Sequence, residues 1–144
     1  NEIFIPKQKT TGTLANMLID GFIPTIEVIE GADSLAFTFD TGAKATMLYS
    51  SYYLRNKAKI ESKYEAEEIE FGGAGGTIKV KGFRLEDLLL KIGNSKLKLS
   101  NVRVIAENIK DHDKGYFGNL GQDYMSEFGE MILNFEDMYV DFKK

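Results

Sequence analysis

The run "LAFTFDTGAKATMLY", residues 35 to 49, places one carboxylate where chemistry is possible. Leu35, Ala36, Phe37 and Phe39 form an apolar stretch that ends on Asp40, and Thr41, Gly42 and Ala43 follow. An acid delivered into a glycine turn by a strand has two readings. As a turn residue, Asp40 caps the strand end by bonding its own backbone two residues on. As a catalyst, it is a carboxylate held at the end of a rigid element. Hydrolysis of a peptide without a metal needs a water made nucleophilic and a carbonyl made electrophilic. Two carboxyls do both if one is ionised and the other protonated. Packed together they cannot both ionise, so they share a proton and titrate as a pair.

The other reactive candidates are fewer. Gly72, Gly73, Ala74, Gly75 and Gly76 form a cluster of small residues. It is not a phosphate loop: no G-x-x-x-x-G-K-[ST] is present, and "TIKVKG" after it alternates as a strand does, not as a helix. A flexible hairpin tip is the better reading, with a plain surface turn as the bland one. "DHD" at 111 to 113 has metal-binding residue types, but a lone triplet in a polar segment reads as solvated side chains. Glu65, Glu67, Glu68 and Glu70 alternate with Ala66 and Ile69 and read as a solvent face. Zero cysteines exclude thiol catalysis, and His112 is the only histidine, which argues against a Ser-His-Asp or multi-histidine zinc site in one chain.

The elements that must position these residues are mostly strands. "FIPTIEVIE" alternates with a period of two. "LAFTFD" is more continuously apolar, as a strand buried on both faces would be. "AEEIEFGGAGGTIKVKGFRL" reads as two alternating arms around the glycine cluster. "DLLLKIGNSKLKLSNVRVIAEN" gives three short strands with Gly93-Asn94 turning between the first two. "SSYYLRNKAKI" makes one or two helical turns, and "GQDYMSEFG" a short helix stopped at Gly129. "MILNFEDMYVDF" alternates across a Glu136-Asp137 turn. Many short strands at this spacing predict an all-β barrel or sandwich.

Asp-Thr-Gly alone is weak evidence, since D-[ST]-G arises by chance in roughly one chain in fifteen of this length at average composition. Its company matters more. An apolar strand precedes it, the glycine-rich "FGGAGGTIKV" comes later, and "GYFGNLGQDYM" leads into a helix near the C-terminus. In this order the three resemble the retropepsin-like aspartic peptidases, over roughly residues 22 to 142, in a spelling similar to bacterial single-lobed aspartyl proteases. The resemblance implies an all-β retropepsin-like (acid protease) barrel with one short C-terminal helix. It implies that Asp40 is the catalyst, that Thr41 bonds across to a second turn, and that Gly42 lets the two turns approach. It makes Ala43, Gly72, Gly73, Ala74, Gly75 and Gly76 substrate-binding residues, the last five as a flap. It also implies an apolar-Gly strand that braces the catalytic turn. Only one Asp-Thr-Gly is present, so the second carboxyl has to come from a second copy across a two-fold axis.

The expected function is therefore that of a homodimeric aspartic endopeptidase acting on peptide or protein substrates, with no metal or cofactor. The alternative is a non-catalytic module that keeps the fold and binds an extended peptide as an added strand. Two departures stand out: Lys44 follows the motif where an acidic or small residue is usual, and Asn119 sits inside the bracing segment. Residues 1–21 form an N-terminal extension that adds strands to the same domain or alters how two subunits meet; residues 22–144 form the peptidase domain. A length of 144 residues fits one domain with a real core. The net charge of -4 argues against nucleic-acid binding, and no apolar run reaches membrane-spanning length. Because the chain starts at Asn1 rather than Met, a removed leading segment is expected. The compartment is left open, with periplasmic or secreted placed ahead of cytoplasmic.

Overall fold

A computed structural model describes residues 15–73, 75–109 and 115–144. The Asp-His-Asp triplet at 111–113, Ala74 of the glycine cluster and most of the N-terminal extension lie outside the described residues. Most of the chain follows from alternation. Strand β2 (Ile23–Glu30) buries Ile26 and Val28, and β3 (Asp33–Phe39) buries Leu35, Phe37 and Phe39. The expectation that this second strand is buried on both faces is corrected: Ala36 and Thr38, on its other face, are only half-buried. The two pair antiparallel from Thr25↔Thr38 to Glu30↔Asp33, around a turn with Gly31 in the left-handed region. Ahead of them, β1 (Met17–Asp20) pairs antiparallel with β2.

After β3 come the short β4 (Met47–Leu48) and helices α1 (Ser50–Arg55) and α2 (Lys57–Lys63). These helices bury Tyr52, Tyr53 and Ile60 against the sheet, with Tyr53 stacked on Phe83. Next are β5 (Glu67–Gly73), β6 (Gly76–Leu85), β7 (Leu88–Ile92), β8 (Ser95–Leu99) and β9 (Val102–Ile105). The Gly93-Asn94 turn joins β7 and β8 as expected, with Ile92 opposite Ser95. The chain finishes with β10 (Gly118–Leu120), α3 (Gln122–Met125), and the hairpin of β11 (Glu130–Asn134) and β12 (Tyr139–Lys143).

The result is all-β with short helices, as the alternation predicts. Ten strands form one curled sheet in the order β5-β6-β9-β4-β10-β3-β2-β7-β8, with β1 beside β2; β11 and β12 form a separate ribbon. A single cluster runs through the curl, from Met17 and Ile26 through Phe37, Leu48, Phe83, Leu90 and Leu120 to Tyr124 and Phe142. Tyr124 carries α3 into it. Its ring meets Phe142 edge-on and its hydroxyl bonds Ser95 Oγ at 2.9 Å, while burial pushes that hydroxyl up to about 12. Among the described residues, no helix is long and apolar enough to cross a membrane.

Candidate active site

The site begins with where β10 is inserted. β3 and β4 do not pair with each other. β10 lies between them, parallel to β3 (Gly118↔Phe37 to Leu120↔Phe39) and antiparallel to β4 (Gly118↔Leu48). The chain that connects β3 to β4, residues 40–46, must therefore loop over the end of β10. Asp40 opens this loop at the end of β3, where its N–H donates to Leu120 O at 3.3 Å. The strand that the resemblance requires behind the turn is thus present, and it runs directly into α3.

Within the loop, Gly42 N–H donates to Asp40 Oδ1 at 2.9 Å and Ala43 N–H to Asp40 O at 3.2 Å. The first bond is the Asx-type cap of the bland reading. Asp40, Thr41 and Gly42 are exposed and Ala43 is half-buried. Among the described residues no cation is paired with Asp40. Gly42 does not have a left-handed backbone; what constrains it is space, since a Cβ there would sit 3.3 Å from Asp40 Oδ1. The Thr41 hydroxyl has no partner among the described residues, and its carbonyl accepts from Gln122 Nε2 at 2.8 Å.

Sequence reading missed the residues that hold this loop. Asp123 accepts from Thr46 N–H at 3.0 Å on both carboxylate oxygens, and its Oδ1 accepts from the Thr46 hydroxyl at 2.7 Å. Gly121 N–H donates in turn to Thr46 Oγ1 at 3.0 Å. Backbone N–H groups of Gln122 and Asp123 donate to Ala43 O and Lys44 O at 2.9 and 3.1 Å. Thr46 is buried, so these bonds satisfy a polar side chain that would otherwise be costly there. A signal existed in the Leu-Gly-Gln-Asp of residues 120–123, but the partner lies 77 residues away. Asn119 accepts from the Thr38 hydroxyl at 2.5 Å, which gives that unexpected residue a structural task on the outer face of β10.

The approach of α3 to the loop leaves no room at Gly121. A Cβ there would meet Ala45 C at 2.5 Å and Thr46 N at 2.9 Å, both backbone atoms. Gly121→Ala is therefore expected to lower stability by about 1–3 kcal/mol through overpacking, read as a lower melting temperature. Asp123→Ala has a similar cost of about 1–3 kcal/mol from the unsatisfied Thr46 groups.

The glycine cluster lies on the other side of β4. β5 and β6 pair from Glu67↔Gly82 to Gly73↔Gly76, with Gly75 in the turn between them. β6 pairs with β9 only from Gly82 onward, so the outer part of the hairpin has β5 as its sole ladder partner. Residues 75–79 are exposed, whereas Ile69 and Val80 at its base pack on Ile105, with Met47 and Phe71 against them. Met47 follows the Asp40 loop by one residue, so this small cluster is the physical link between loop and hairpin. Asp40, Thr41, Gly42 and Ala43 are gathered in one turn; the described glycines form a separate arm that no hydrogen bond joins to it among the described residues. The acidic face of β5 is solvent-exposed as expected, with Glu67 paired to Arg84 at 2.7 Å. Phe71, Tyr116 and Phe117 are half-buried. Among the described residues no three acids or histidines are grouped to hold a metal.

Comparison with protein-family models gives no match, and comparison with curated proteins gives none either. Among solved structures, EIAV protease complexed with the inhibitor HBY-793 is similar at 21% identity. The match covers 78% of this chain and 93% of that one, with a TM-score of 0.48.

Proposed function

We propose that the protein is an aspartic endopeptidase that hydrolyses peptide bonds as a homodimer, with a water activated between the Asp40 carboxyls of two copies. The observation that carries this reading is the Asp40 loop itself. A carboxylate ends the core strand β3, is exposed, and has no cation partner among the described residues. Its own N–H is held by Leu120 O, and the loop that follows it is held by Gln122 and Asp123. A turn residue that only capped β3 would not need a loop locked at Thr41, Ala43, Lys44 and Thr46.

The chemistry then follows from pairing. Two Asp40 carboxyls brought close share one proton. The ionised one takes a proton from water as it attacks the carbonyl, and the protonated one donates to the carbonyl oxygen. The tetrahedral species collapses as the first carboxyl passes its proton to the nitrogen, the second takes one from a hydroxyl of the gem-diol, and the C–N bond breaks, which restores the shared proton. Thr41, exposed and with a hydroxyl that has no partner among the described residues, bonds the partner's turn in this reading. The hairpin of β5 and β6 supplies main-chain donors over an extended peptide and excludes water.

The test is cleavage of an unstructured peptide mixture, its inhibition by a statine peptide that mimics the tetrahedral species, and its dependence on protein concentration. Specific activity is expected to fall on dilution through the dimer dissociation constant. Mixing in a ninefold excess of Asp40→Asn chains should leave about one tenth of wild-type chains with a wild-type partner, and activity should fall in proportion. Activity strictly proportional to concentration from a monomer in solution counts against the reading.

A further inference from the structure

We propose that Lys44 selects the substrate: the site takes peptides with Asp or Glu within about three residues of the scissile bond. This rests on Asp40 being the catalyst.

Lys44 is exposed, and it belongs to the loop that carries Asp40. The bond from Ala43 N–H to Asp40 O closes a turn, which keeps those two Cα atoms within about 7 Å. The Lys44 Cα is about 3.8 Å further along the chain. An extended peptide advances about 3.3 Å per residue, so these limits keep the Lys44 Cα within about three residues' length of the Asp40 Cα. That backbone is held, because Lys44 O accepts from Asp123 N–H at 3.1 Å. The two-fold relation places one Lys44 on each side of the bond.

The charge on Lys44 is not spent on any described residue of its own chain. The nearest acid in the brace, Asp123, turns both carboxylate oxygens to Thr46, and its Oδ1 also accepts its neighbour's Tyr124 N–H at 2.9 Å. Among the described residues Lys44 has no ion pair. Two acids of the hairpin differ in this respect: Glu67 is paired with Arg84 at 2.7 Å and Glu68 with Lys79 at 3.6 Å, whereas Glu70 has no ion pair among the described residues. Among the described residues, the uncompensated charge next to Asp40 on its own loop is therefore positive, although the chain as a whole carries -4.

The test uses three matched peptides that differ only in having Glu, Gln or Lys two residues from one scissile bond. Wild type is expected to cleave the Glu peptide about twofold to fivefold better than the Gln peptide in kcat/KM, the size of an exposed ion pair. The ratio should approach one near 1 M salt, where screening reaches about 3 Å, and in Lys44→Gln. It should invert in Lys44→Glu. Equal cleavage by wild type, a preference that survives in Lys44→Gln, or a preference for the Lys peptide overturns the proposal; the last assigns selection to the hairpin acids. If no cleavage depends on Asp40, the peptidase reading fails separately. The same three substitutions in a statine peptide then decide Lys44 by binding. A Glu preference that disappears in Lys44→Gln supports it, and no preference or no binding overturns it.

Discussion

Asp40→Asn is expected to reduce peptide hydrolysis by on the order of 10²–10⁴-fold, the range for loss of a positioned general acid or base, while the protein stays folded. The two halves of this expectation have separate physical grounds. Asparagine keeps an Oδ1 acceptor, so the bond from Gly42 N–H survives and the loop retains its shape. Asp40 is exposed and has no ion pair among the described residues, so the substitution should change stability by less than about 0.5 kcal/mol. The amide cannot take a proton from water or share one with its partner, so both steps around the tetrahedral species lose their proton carrier. Melting temperature and turnover, measured on one preparation free of contaminating protease, separate the two effects. Near-normal turnover in Asp40→Asn would remove Asp40 from the mechanism. A large loss of stability would show that its main task is to cap β3.

The contrast between Asp40 and Asp123 shows how far the sequence can be read. Asp40 is visible because local pattern marks it: an apolar strand, then an acid, then a glycine. The same local signals reveal β2, the Gly93-Asn94 hairpin and the two arms of β5 and β6, because their pairing partners are neighbours in the chain. Asp123 is not marked in this way. Its task is set by Thr46, and the two meet only because β10 enters between β3 and β4. A three-residue strand such as Gly118–Leu120 has no periodicity to read, and parallel pairing with β3 across some eighty residues leaves no turn signature. β4, with two residues, is equally silent. Alternation in β3 could be mistaken for burial on both faces because Ala36 is apolar yet sits on the half-buried side. Sequence thus points to the candidate catalytic group, and the groups that hold it emerge only from non-local contacts.

Gly72→Ala is expected to lower kcat/KM by about ten- to a hundredfold with little change in melting temperature. Gly72 lies opposite Thr77 near the end of the hairpin ladder, and the strands approach so closely that a Cβ there would stand 2.2 Å from Gly76 O and 2.7 Å from Thr77 Cα. Both are backbone atoms, so no side chain can rotate away, and overpacking of this kind costs about 1–3 kcal/mol. The hairpin can avoid that cost by unpairing its last rungs. Those rungs lie beyond the part of β6 that β9 supports and outside the core, so global stability is spared. If the closed hairpin is needed over the peptide, the whole cost falls on the bound state, which at about 1.4 kcal/mol per decade gives the stated loss. Gly75 provides the comparison, since a Cβ there would meet open space. Gly75→Val should leave the ladder intact, so any loss of turnover it causes reports bulk in the peptide's path and not a broken hairpin. Amide exchange across residues 72–76, with and without a statine peptide, locates the effect: protection should rise on binding in wild type and fail to rise in Gly72→Ala. Unchanged turnover in Gly72→Ala, with exchange at the tip indifferent to ligand, would reduce the glycine hairpin to a surface turn and leave the Asp40 loop without a cover from its own chain.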